Sequence, residues 1–143
     1  MAQAERLTLE SEEQEWLDLA RDWIKGHFSA DPDGAYGTIE GKLAVIRANL
    51  SQGWVGPEDT WKLQSLGIAM GDALAQDLML DWVTVDDEYG RQPALNWPGT
   101  SILCFPLTMI SQRIEEGERV DIDMMYELTR KQLSEIAFGG DAE

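Results

Sequence analysis

The spacing of hydrophobic positions along the chain changes from helical to alternating and back to helical. From Ser11 onward, Trp16, Ala20, Trp23, Ile24 and His27 fall on one stripe, the 3.6-residue period of a helix that buries one face. Ser11 followed by Gln14 fits a capping box, and acidic residues crowd this first turn, where they complement the helix dipole. The stretch SADPDGAYG, residues 29–37, is rich in turn formers and predicts a loop. Helical spacing resumes from Thr38 to Leu50 through Ile39, Leu43 and Ile46, and stops near Gly53. A third helix is predicted to open at Gly56 and Pro57, since proline is tolerated in a first turn, and to run to Leu78 through Leu63, Leu66, Met70 and Leu74. Gly67 and Gly71, beside Ala75, form a small-residue strip within it. Each helical glycine costs about 1 kcal/mol relative to alanine, so the strip predicts close approach of another helix or of the sheet.

Alternation replaces helical spacing at Trp82, Val83 and Val85, which predict a strand. An acidic turn from Asp86 to Pro93 follows, and Ala94 to Trp97 returns as an antiparallel partner across a loop longer than a tight hairpin. After Pro98 and Gly99, Ser101 to Phe105 reads as a fully apolar strand, and Pro106 starts a helix that buries Leu107, Ile110 and Ile114. A last helix, capped by Asp121, is expected to run to about Ala137. These elements predict an α+β fold of about five helices packed on a small antiparallel sheet of about three strands. Residues 1–143 read as one domain with frayed ends near 1–8 and 139–143. A chain of 143 residues buries roughly two-thirds of its unfolded surface, and an apolar fraction of 43% with six tryptophans exceeds what disordered chains carry.

The strings LQSLGIAMGDAL, LDWVTVDDEYGRQPAL and PGTSILCFPLTMISQRIEEGE, within Leu63–Val120, resemble the bacterial family known as domain of unknown function 3806. The order of small-residue helix, acidic strand and turn, proline-glycine turn, and apolar strand leading into a helix carries the likeness. It implies an α+β domain and brings no catalytic residues to transfer.

Charge narrows the classes of partner. A net charge of −16 argues against nucleic acid and anionic membranes, which bind proteins through lysine and arginine; a basic protein is the electrostatically natural partner, while solubility is the more frequent reason for an acidic surface. Between Lys62 and Arg91 there is no basic residue, while Asp72, Asp77, Asp81, Asp86, Asp87 and Glu88 fall inside that gap. Cys104 is the sole cysteine, which excludes an intramolecular disulfide and a cysteine-based zinc site. With no signal-like N-terminal segment and no apolar run near the ~20 residues of a membrane span, a cytoplasmic location is expected.

Catalytic patterns fall short at specific positions. Gly37 to Lys42 is one residue short of a phosphate loop, with Leu43 where a hydroxyl should meet magnesium. In Gly99-Thr-Ser101-Ile-Leu103, the last residue replaces the second glycine of a nucleophile elbow. Thiol catalysis would require Cys104 to meet His27, yet both lie in apolar patterns that predict burial. Asp86, Asp87 and Glu88 lack EF-hand spacing, and Asp121 with Asp123 reads as a cap and dipole partner. No catalytic residue, metal or cofactor is expected. The expectation is an acidic protein-binding domain without catalytic activity, using Asp86, Asp87, Glu88, Tyr89, Arg91 and Trp97. An immunity protein that neutralises a basic toxin is its most concrete form. The alternative is a small enzyme or divalent-metal-binding domain in which carboxylates do the chemistry.

Overall fold

The computed structural model describes residues 5–26, 36–88 and 90–138, with 5–8 and 138 described by backbone alone. Among these residues the order is β1 (Glu5–Thr8), α1 (Ser11–Lys25), α2 (Ile39–Ser51), α3 (Thr60–Leu78), β2 (Asp81–Asp87), β3 (Gly90–Asn96), β4 (Leu103–Cys104), α4 (Leu107–Glu115) and α5 (Ile122–Phe138). The strands form one antiparallel sheet in the order β1-β2-β3-β4. The fold is α+β, with five helices and a small antiparallel sheet among the described residues. β1 joins the three expected strands where fraying was expected, because β2 offers its free edge to Glu5–Thr8 in continuous register. Residues 1–4 and 139–143 lie outside the described residues.

α3 is the centre of the molecule. Leu63, Leu66, Ile68, Met70 and Leu74 are fully buried on different sides of it, and it contacts α1, α2, α4 and α5, as a helix apolar all round must. The small-residue strip acts as the spacing predicted. A Cβ on Gly67 would stand 2.3 Å from the Pro106 carbonyl oxygen, and one on Gly71 would stand 2.7 Å from the Trp82 ring. The helix starts at Thr60 and not at Gly56, because residues 56–59 close a separate turn. The Gly56 N–H donates to the Asp59 carboxylate and the Asp59 N–H to the Gly56 carbonyl. α3 ends at Met79, which takes a left-handed conformation (φ 59°).

The other helices bear out some sequence signals and correct others. Thr38 caps α2 by accepting from the Gly41 N–H, and Asp121 caps α5 by accepting from the Met124 N–H. Ser11 is not the cap of α1. That position falls to Glu10, whose backbone N–H is anchored on Thr84 of β2. The buried line of α1 is Glu13, Leu17, Ala20 and Ile24, flanked by half-buried Trp16 and Trp23. Leu17 and Ala20 pack with Ile68 of α3 and with Leu107, and Trp16 packs against the same cluster. His27 lies outside the described residues, as do residues 29–35 of the expected loop.

The β2–β3 connection is tighter than expected. Pairing continues from Asp81↔Asn96 to Asp87↔Gly90, so most of the expected turn Asp86–Pro93 is strand. Gly90 (φ 112°) supplies a conformation that side chains disfavour. Pro93 is tolerated because β4 pairs only with Leu95 and Asn96, leaving no ladder bond at Pro93 for a missing N–H to break. Only Leu103–Cys104 of the expected strand Ser101–Phe105 pairs. Ile102 to Phe105 are half-buried, and Ser101 is exposed. The preceding loop is tied instead by the Asn96 amide, which donates to the carbonyls of Thr100 and Ile102.

Candidate functional site: the acidic face of α1 and the β2–β3 hairpin

The hairpin is joined to α1 by a buried polar link. Glu13 is 4% exposed, and its Oε1 accepts from Arg91 Nη2 at 2.9 Å and from the Thr84 hydroxyl at 3.1 Å. The Thr84 oxygen in turn accepts from the Glu10 N–H at 2.9 Å. The hydrogen bond to Glu13, with the charges of Glu13, Glu12 and Glu10, raises the pKa of Arg91. Arg91 therefore serves Glu13 and not Asp86, although Asp86 is its cross-strand partner.

Around this link the surface is acidic. Asp86 sits in register between Glu5 and Arg91, half-buried. Asp87 is half-buried and Glu88 exposed. The first turns of α1 add Glu10, Glu12 and Glu15, all exposed. Trp97 is separate from this group. It follows the far end of β3 and packs against the main core, some 20 Å from the hairpin end at a strand rise of ~3.3 Å per residue. Tyr89 lies outside the described residues.

The gap in basic residues between Lys62 and Arg91 is filled in space by other elements. Asp72, 9% exposed on α3, receives Arg21 through two bonds, Nη2 to Oδ1 at 2.7 Å and Nε to Oδ2 at 2.9 Å. The Tyr36 hydroxyl donates to it at 2.5 Å and Trp82 Nε1 at 2.9 Å. Burial alone would lower the Arg21 pKa, but the hydrogen bond and charge of Asp72 raise it. Burial, then the Asp72 charge, push the Tyr36 hydroxyl far up. Lys42 lies 4.9 Å from the centre of the Tyr36 ring and donates to Gln76 Oε1 at 2.6 Å. Burial lowers its pKa, and Asp72 partly offsets this. Asp77 likewise accepts from Arg130 Nε and the Tyr126 hydroxyl, each at 2.7 Å. The sequence signal for the Asp72 network was an aspartate inside an apolar helix next to Gly71. Its partners come from three separate segments, two of them 36 and 51 positions away, so spacing could not name them.

The remaining candidates have structural surroundings. Burial pushes the Cys104 thiol up to about 11, which keeps it protonated and poorly nucleophilic near neutral pH. Asp123 pairs with Arg47 at 2.6 Å. Among the described residues no group of three or more histidine, cysteine, aspartate or glutamate side chains is placed to hold a metal ion, and no helix is long and apolar enough to cross a membrane.

A model of the family described as a domain of unknown function (DUF3806) matches residues 42–126, from α2 into α5. The chain belongs to this family. The matched segment contains α3, the β2–β3 hairpin and α4, and leaves β1 and α1 outside. A crystal structure from Bacteroides thetaiotaomicron VPI-5482 shares the fold, with a TM-score of 0.73 at 18% identity, over 88% of this chain and 47% of that chain. This chain thus spans about half the length of that neighbour. No curated protein matches.

Proposed function

We propose that the domain binds a basic protein partner through the acidic face formed by α1 and the β2–β3 hairpin, and that it does so without catalysis. The observation that carries this reading is the division of labour among carboxylates. Glu13, Asp72 and Asp77 are tied to the chain's own arginines, whereas Glu10, Glu12, Glu15 and Glu88 are exposed beside Arg91, which Glu13 already holds. Such a surface steers a basic partner, with on-rates reaching about 10⁸ M⁻¹s⁻¹ at low salt in favourable complexes. The most concrete form is an immunity protein that neutralises a basic toxin in the cytoplasm, where Cys104 stays reduced.

The test is affinity capture from native bacterial lysate, comparing the parent with an Asp86→Asn, Asp87→Asn, Glu88→Gln variant at low and high salt. A basic protein retained in stoichiometric amount by the parent, and lost both from the variant and at high salt, is the expected result. Equal retention by parent and variant would remove the hairpin from the reading, and no stoichiometric capture would remove the reading itself.

A further inference from the structure

One part of the acidic face is shaped as well as charged. Glu12, Glu15, Trp16 and Leu19 follow one another at i, i+3, i+4 and i+7 on a single side of α1, and with Trp61 from the first turn of α3 they line an open notch of about 300 Å³. That volume is at the small end of ligand pockets, roughly 300–1,000 Å³, and suits one long side chain. Trp61 is 42% exposed and Leu19 55%, so the notch presents apolar surface to solvent. Its geometry is held from below, because Trp23 meets Trp61 edge to face with ring centres 6.0 Å apart. Among the described residues, none that lines the notch is cationic. Neither Glu12 nor Glu15 has a hydrogen-bond partner among the described residues.

We infer that this notch receives an arginine side chain from a basic protein segment, and so forms the anchor point of the binding face. The inference rests on the proposed binding of a basic partner and names the contact that would hold it. Charge complementarity selects the occupant. Two neighbouring carboxylates favour a cation, and the indoles with the leucine favour a flat or apolar body laid against them. A guanidinium meets both demands at once, because its plane stacks on an indole and its N–H fork pairs with a carboxylate. An ammonium is compact and strongly hydrated and gains less from the indoles. The notch is also continuous with the rest of the face. Glu12 belongs to it and acts electrostatically on Arg91 of the hairpin.

The probe is a hexa-arginine peptide titrated into the full chain, followed by the indole N–H signals in ¹H–¹⁵N spectra at low salt, with hexalysine as comparison. Three variants are compared: Trp61→Leu, the pair Glu12→Gln with Glu15→Gln, and the hairpin triple variant. The altered side chains of the first two are exposed or at the rim, and far-ultraviolet circular dichroism verifies that each still folds. The expected result is saturable movement of the Trp16 and Trp61 signals, weakening of about three- to fivefold in Trp61→Leu, and weakening of about fivefold in the glutamine pair. Hexalysine is expected to bind more weakly than hexa-arginine. Unchanged affinity in both notch variants overturns the inference, as does equal affinity for the two peptides. If the hairpin variant alone weakens binding, the acidic-face reading stands and the arginine anchor falls. If no variant weakens it, both fall.

Discussion

Asp72 shows how a single carboxylate can organise residues far apart in sequence. Four hydrogen bonds converge on its two oxygens from Arg21, Tyr36 and Trp82. Substituting Asp72→Ala would leave a partly buried guanidinium, a hydroxyl and an indole N–H without their acceptor. Removing one partner of a buried ion pair costs about 3–5 kcal/mol, and urea unfolding is expected to show a loss in that range. A loss under about 1 kcal/mol would mean that water satisfies the network equally well. Cys104 couples stability to pH. Burial raises its pKa from 9.0 to about 11, so the folded protein holds a proton that the unfolded chain releases. The stability it contributes is present below about pH 9 and is lost by about pH 11. The Tyr36 and Tyr126 hydroxyls, raised chiefly by burial, act in the same direction at higher pH. Lys42 opposes them, since its lowered pKa makes stability rise with pH over its own window. Stability is expected to fall from pH 9 to 11, and Cys104→Ala should reduce that fall by roughly 1–2 kcal/mol. Parallel pH profiles for parent and variant would refute this.

Between elements, α3 closely crosses the start of α4 and β2. Gly67 lies against the Pro106 backbone and Gly71 against Trp82 and Pro106, so two glycines let three elements meet within one side-chain width. An exposed helical Gly→Ala change stabilises by up to about 1 kcal/mol. At Gly67 the new methyl group would meet a backbone oxygen that cannot swing aside, and overpacking costs typically 1–3 kcal/mol or more. Gly67→Ala is therefore expected to destabilise by a net ~1–2 kcal/mol, read as a lower midpoint in chemical denaturation. A stabilised variant would show that the two backbones separate freely. The same crossing places Trp82 where its indole N–H reaches Asp72, so the small-residue strip also positions the buried polar network.

At the scale of the whole molecule, the net charge of −16 sets a repulsion that the internal ion pairs relieve only locally. Exposed charges are screened beyond about 10 Å at 0.1 M salt. Raising salt from about 0.02 to 0.5 M is therefore expected to increase Tm by about 2–4 °C, while weakening capture of a basic partner. A fall in Tm on adding salt would mean that attractive pairs dominate the surface. The amino-acid sequence by itself determined the α+β class, the central helix, the order of later elements and the cap at Asp121, because period, small-residue spacing and capping are local properties of the chain. It located the acidic hairpin for the same reason, as a run of neighbouring residues. Tertiary structure alone decided that β1 adds an edge strand, that Glu10 takes the cap position expected of Ser11, and that Trp97 lies away from the hairpin while Glu12 and Glu15 lie on the same face. It also decided which carboxylates are consumed internally, as Arg21 and Arg130 reach Asp72 and Asp77 from 51 and 53 positions away. Pairings of that kind follow from the packing of helices and sheet, and no spacing along the chain encodes them.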